Sequence, residues 1–107
     1  MQLPPMTEPV LLILLSLASQ PRHGYAILQD TNHMSGGRVR LSTGTLYGAL
    51  RRLLVEGWIE RFEDHDDSRG KQAYRLTALG RRNLQVEIDR LKQLTHVAGL
   101  RVPRKAT

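Results

Sequence analysis

"LSTGTLYGALRRLL", residues 41–54, decides how the rest of the chain is read. Leu46, Leu50, Leu53 and Leu54 recur at the spacing of one helix face, so the stretch predicts an amphipathic helix that Ser42 caps and that runs to Glu56 and stops at Gly57. On a wheel of about 100° per residue, Gly44, Gly48, Arg51, Arg52 and Val55 fall opposite the leucines, with Thr45 and Tyr47 flanking. A glycine inside a helix costs about 1 kcal/mol relative to alanine. Two of them on the outer face predict a surface that something approaches closely. Tyr47 lies about 80° from the leucine stripe, which leaves two placements open: its ring packs under a neighbouring element, or its hydroxyl faces outward.

Upstream, "PVLLILLSLASQP" at 9–21 predicts a first helix over 8–18, capped by Thr7, with Glu8 and Pro9 in its first turn. It is apolar all round, the pattern of a helix buried on both sides. "RHGYAILQDTNHM" predicts a second helix through Tyr25, Ile27, Leu28 and Met34, ended by Gly36 and Gly37 and followed by the short extended connector "RVRLS". Downstream the period changes. "WIERFED" and "KQAYRLT" alternate apolar and polar residues around the polar stretch "HDDSRG", which predicts a hairpin with a long tip. Thr77 then caps a last helix with Leu84, Ile88, Leu91 and Ala98 on one stripe and Leu94 at its edge, an apolar face in need of a partner. Trp58 and Tyr74 are expected to pack rather than to form a ligand platform. The tail from residue 100 has a proline, cations and little to bury.

The chain has 107 residues, 40% of them hydrophobic, enough for one core; 16 Lys and Arg against 10 Asp and Glu give a formal charge of +6. A pI near 10.5 favours polyanionic partners. No cysteine is present, which excludes disulfides, thiolate metal sites and cysteine nucleophiles. The apolar run from Val10 reaches only Ala18, short of the ~20 residues a spanning helix needs, and no Lys or Arg precedes it to lead a signal peptide. No membrane association is therefore expected. His23, His33, His65 and His96 lack metal-ligand spacing, and Asp64, His65, Asp66 and Asp67 lack the glycine-centred loop and distal Glu of a calcium site. With no nucleophile–base pair and no phosphate loop, the expectation is a non-enzyme without cofactor or metal.

Three helices followed by a hairpin is the order of a winged helix-turn-helix, whose helix before the hairpin enters the DNA major groove. The fold class expected is thus mainly α with a small β-hairpin. Gly44 and Gly48 would admit the sugar-phosphate wall, while Arg51, Arg52, Thr45 and Tyr47 offer groups for phosphates or base edges. Arg69, Gly70 and Lys71 at the hairpin tip would carry cations to the flanking backbone. Glu63, Asp64, Asp66 and Asp67 work against that approach; a local pair of Asp66 or Asp67 with Arg69 would turn the cations outward.

"HGYAI" at 23–27, "STGTLYGALRRLLVEGWIE" at 42–60 and "YRLTALGRR" at 74–82 together resemble the PadR family of bacterial transcriptional regulators, across most of residues 8–82. The resemblance implies a cytoplasmic homodimer that binds double-stranded operator DNA, usually as a repressor, with N- and C-terminal dimerisation helices. It carries Ser42, Thr43, Thr45 and Tyr47 onto recognition-helix positions facing DNA, and Arg69 and Lys71 onto the wing. It places a DNA-binding domain at 1–82, a dimerisation helix at 83–99 and a basic flexible tail at 100–107. Interface residues would be Val10, Leu11, Leu14, Leu84, Ile88, Leu91, Leu94 and Ala98. Many members carry proline where this chain has Thr43 and Gly48. One C-terminal helix matches the short branch, whose drug sensors sandwich flat ligands between aromatics; residues 78–100 contain no Trp, Tyr or Phe, and no such pocket is expected. The family's small-molecule inducers vary, and the sequence names none. Two alternatives share the fold: a MarR-like regulator, whose Asp-x-Arg wing is similar to "DSR" here, and a winged-helix module that binds an acidic protein partner.

Overall fold

The computed structural model describes residues 3–63 and 72–104. Helix α1, Glu8–Ser19, begins at the predicted signals: the Thr7 hydroxyl accepts from the Val10 amide at 3.4 Å and proline sits in the first turn. Leu12, Ile13, Leu14, Ser16 and Leu17 are buried, whereas Leu11 and Leu15 on the other side are only partly covered. Helix α2, Gly24–Met34, has no side-chain cap at His23 and ends at Ser35, after which Gly36 and Gly37 take φ of 64° and 81°. Helix α3, Thr43–Glu56, opens with the Ser42 hydroxyl accepting from the Thr45 amide at 3.1 Å. It closes at Gly57 with φ 78°, where the Gly57 and Trp58 amides donate to the Leu54 and Leu53 carbonyls.

The leucine stripe of α3 is the centre of the core. Leu46, Leu50 and Leu53 are buried against Ile13, Leu14 and Leu17 of α1, Ile27 of α2, and Ile59, Tyr74 and Leu76 from the sheet. Each such side chain removed from water contributes about 1.5–3 kcal/mol, so this face of α3 shares one core with α1, α2 and the sheet.

Instead of the two-stranded hairpin expected, the sheet has three strands in the order β1-β3-β2. β2 (Ile59–Phe62) and β3 (Ala73–Leu76) pair antiparallel, Ile59 opposite Leu76 and Phe62 opposite Ala73. The extra strand, β1, is only Arg22–His23, opposite Tyr74 and Ala73 of β3. Two residues are too few to display an alternating pattern, which is why the sequence did not reveal it. Pro21, just before it, favours an extended entry.

Helix α4, Ala78–Arg101, begins where predicted and runs two residues into the expected tail. The nearest breaker is Pro103, and a single helical glycine, Gly99, does not stop it. Residues 102–104 follow it outside the helix and are exposed, and residues 105–107 lie outside the described residues. At its start the Thr77 hydroxyl accepts from the Gly80 amide at 3.0 Å and donates to the Gly57 carbonyl at 2.6 Å, while the Thr77 amide donates to the Trp58 carbonyl at 3.1 Å. A Cβ on Gly80 would stand 2.8 Å from the Trp58 carbonyl carbon and 3.1 Å from its Cα. Only glycine fits. Further along α4, buried Glu87 accepts from the Met6 amide at 2.9 Å and from both Nε (2.6 Å) and Nη2 (2.9 Å) of Arg90. The segment before α1 is thereby tied to α4.

Gly80→Ala forces backbone against backbone and is expected to lower the urea unfolding free energy by about 3 kcal/mol. Gly48→Ala, whose Cβ would meet nothing within 4 Å, is expected to raise it by about 1 kcal/mol; equal effects would contradict the crossing. The Arg90 guanidinium, and secondarily the Met6 amide, hold the Glu87 carboxyl below its ordinary pKa against the opposing effect of burial. A lowered folded pKa contributes stability above the unfolded value, about 4.3, and that contribution disappears as pH falls through the folded value. The stability gap between wild type and Glu87→Gln should be widest near neutrality and close in acid. A gap that stays constant across the range would rule out the ionised clamp.

Candidate nucleic-acid interface

With one face of α3 in the core, the opposite face points away from it. Thr43, Gly44, Thr45, Arg51 and Arg52 are exposed, and Val55 is 88% exposed. Neither Gly44 nor Gly48 would bring a Cβ within 4 Å of any atom, so neither glycine is explained by a contact inside the protomer. The Ser42 hydroxyl donates to Thr45 Oγ1 at 2.9 Å, which leaves the Thr45 hydroxyl proton free to be donated outward.

Most arginines elsewhere are engaged. Arg22 reaches the Ser16 carbonyl at 2.9 Å and Asp30 at 3.6 Å. Arg38 is paired with Glu8, whose carboxyl is held below its ordinary pKa chiefly by that hydrogen bond. Arg75 pairs with Glu60 at 2.9 Å and lies 4.8 Å over the Phe62 ring. Arg51 and Arg52 have no ion pair or hydrogen bond among the described residues, as is also true of Arg82 and Arg101 on α4. Two uncompensated cations on a glycine-lined helix face form a surface suited to a polyanion.

Tyr47 takes a placement between the two expected. It is 38% exposed, and its ring crosses the first residue of α2: a Cβ on Gly24 would overlap its hydroxyl and stand 2.9 Å from Cζ. The Gly-Tyr pair at 24–25 thus lets α2 and α3 approach. Tyr25, 64% exposed beside this crossing, joins the surface without having been singled out by the sequence; only its place at the start of α2 could have marked it. Arg61 of β2 is a further exposed cation on the sheet. Arg69, Gly70 and Lys71, with Asp64, Asp66 and Asp67, lie outside the described residues, so the structure does not place the wing tip.

The expected interface residues divide. Leu14 and Leu84 are 0% and 3% exposed inside the chain's own core, where α1 and α4 pack against each other and against β3; they are not surface residues. Val10 is half-buried against that core. Leu11, Ile88 and Leu91 line an open apolar groove of about 480 Å³ between α1 and α4, together with Leu15 and Lys92. Leu94 and Ala98 are exposed beyond it. Among the described residues no group of His, Asp and Glu is placed to hold a metal ion, and no helix is long and apolar enough to cross a membrane.

Known proteins resemble both the sequence and this geometry. A protein of 37.1 kDa, uncharacterized, in transposon Tn4556 of Streptomyces fradiae is 37% identical over 86 residues, 79% of this chain; the chain spans only 23% of that relative's length. A PadR family transcription regulator from Clostridium difficile superimposes with a TM-score of 0.74 at 23% identity, over 88% of this chain and 97% of that one. PadR of Bacillus subtilis, solved in complex with operator DNA, gives a TM-score of 0.68 at 24% identity, over 79% of this chain and 48% of that one. The sequence itself matches the model of the transcriptional regulator PadR-like family over residues 13–86, a span that runs from the buried face of α1 through the glycine-lined helix to the start of α4. The chain belongs to the PadR-like family of transcriptional regulators.

Proposed function

We propose that the chain is a homodimeric, sequence-specific DNA-binding repressor that acts in the cytoplasm on a roughly palindromic operator. The observation that carries this is the outer face of α3, where Gly44 and Gly48 leave open space and Arg51 and Arg52 have no partner among the described residues. Family membership and the operator complex of the Bacillus subtilis relative support it. Each protomer inserts α3 into one major groove, with half-sites about one or two helical turns apart. Ser42, Thr43 and Thr45 at its N-terminal end meet base edges or the near phosphates, Arg51 and Arg52 meet the backbone, and Arg69 and Lys71 extend the contact along the wing.

The second copy covers the groove between α1 and α4. Leu11, Leu15, Ile88 and Leu91 are apolar and only partly covered in the protomer, and exposed Leu94 and Val97 continue the apolar surface along α4. A two-fold dimer built on this face sets the distance between its two recognition helices. A small-molecule inducer bound there would regulate by changing that distance.

The test uses a duplex selected by the full-length protein from a random-sequence library. Thr45→Ala should relax discrimination at one base position, and Arg51→Ala should weaken binding to all sequences while reducing the salt slope by about 1. Titration should saturate at two protomers per duplex, and Leu91→Glu should abolish that stoichiometry along with tight binding. Wild-type behaviour from both α3 variants would remove α3 as the recognition helix, and saturation by a single protomer would remove the dimer.

A further inference from the structure

The segment before α1 runs past the flank of α3. Between them lies a cleft of about 270 Å³, with Pro4, Pro5 and Met6 on one wall and Ala49, Arg52 and Trp58 on the other. Arg52 is the one residue of the outer face of α3 that the cleft reaches; Gly44, Gly48, Arg51 and Val55 do not line it. Arg52 borders the cleft and is nevertheless exposed, the arrangement in which an arginine lays its aliphatic stem along apolar surface and keeps its guanidinium in water. Glu56, one turn on, borders the cleft as well but makes no ion pair with Arg52 among the described residues. No carboxylate there holds the guanidinium back.

The wall opposite Arg52 is stiff and anchored. Pro4 and Pro5 have φ fixed by their rings and lose little freedom on ordering. Met6 packs against the core, its amide donates to Glu87 at 2.9 Å, and the next residue, Thr7, caps α1. Glu87 is itself held by two bonds from Arg90. Burying a carboxylate is costly unless it is paired and hydrogen-bonded, and this one is used to tie an irregular segment to α4. Yet Pro4 and Pro5, the residues so anchored, are exposed and do not join the core. Burial does not explain their place; what they face does.

We propose that Pro4–Met6, tied down through Glu87, is a positioning wall for Arg52: it restricts that side chain to rotamers that turn the guanidinium toward the DNA backbone. The proposal rests on the DNA-binding function given above. An arginine that moves freely before binding loses its rotamer freedom when it grips a phosphate, and the loss lowers affinity. A wall already in place removes part of that loss beforehand. Arg51 borders no such wall and serves as the internal comparison. The two cations of the outer face are therefore unequal, Arg52 preorganised and Arg51 free.

The experiment is a set of double-mutant cycles on the selected duplex, read by fluorescence anisotropy. Pro4→Gly combined with Pro5→Gly loosens the wall at two exposed positions. In the otherwise wild-type chain it should weaken binding about fivefold, and in the Arg51→Ala background by the same factor. In the Arg52→Ala background it should have no effect, the signature of direct coupling. Glu87→Ala removes the anchor and should follow the same pattern, whereas Glu87→Gln keeps an oxygen for the Met6 amide and should bind like wild type. The glycine pair alters no core residue and keeps the test decisive if Glu87→Ala fails to fold. Equal weakening in all three backgrounds, or none in any, overturns the wall, and a Glu87→Gln that binds no better than Glu87→Ala overturns the anchor. If Arg52→Ala binds like wild type the proposal also falls, while base discrimination that changes with Thr45→Ala leaves the DNA-binding function intact; no binding to any duplex removes both.

Discussion

The structure depends on one crossing, where the end of α3, the start of β2 and the start of α4 meet, backbone against backbone at Gly80 and Trp58. Gly57 turns the chain out of α3 with a left-handed φ, Thr77 bonds to the backbone of both Gly57 and Trp58, and Gly80 brings the first turn of α4 against the Trp58 backbone. Any Cβ at position 80 would have to occupy the space of that backbone, which cannot move without shifting the ladder between β2 and β3. The crossing fixes the direction in which α4 leaves the domain, and with it the place of the apolar groove relative to the face of α3.

From that junction the two faces of α3 acquire opposite duties. Its leucines sit at the centre of the core and make the helix rigid. Its glycines lower helix stability, and its arginines have no ion pair or hydrogen bond among the described residues. Residues that lower stability without any internal return are expected where a protein meets a partner. The Glu87 clamp acts on the same frame from the other side, since it ties the segment before α1 to α4 through the Met6 amide. The helix that presents the groove and the segment that leads into α1 are therefore joined by a hydrogen bond.

Much of this was legible in the sequence because periodicity reports burial directly. The stripe of Leu46, Leu50 and Leu53, the caps at Thr7, Ser42 and Thr77, and the stop at Gly57 all appear where spacing and cap chemistry put them. What escaped was contact between elements. Arg22–His23 is too short for a strand pattern, the crossing of Tyr47 over Gly24 joins residues on different helices, and the burial of Leu14 and Leu84 depends on how α1 and α4 pack against each other and the sheet. An apolar stripe states that a face will be covered; it does not state whether the cover is the protomer's own core or a second copy. Tyr25 had the same ambiguity, since an aromatic at helical spacing looks like core until the structure leaves it exposed.

The central claim is that the outer face of α3 distinguishes one DNA sequence from another. Its most direct measurement is a fluorescence-anisotropy titration of the full-length protein against DNA from upstream of its own gene and a shuffled control of the same composition, each at two salt concentrations. Preference for the upstream DNA by about 10³-fold or more, with affinity for both duplexes falling as salt rises, is the predicted result. Weak, equal and salt-sensitive binding to the two duplexes would contradict it and leave the basic face to a partner recognised by charge alone.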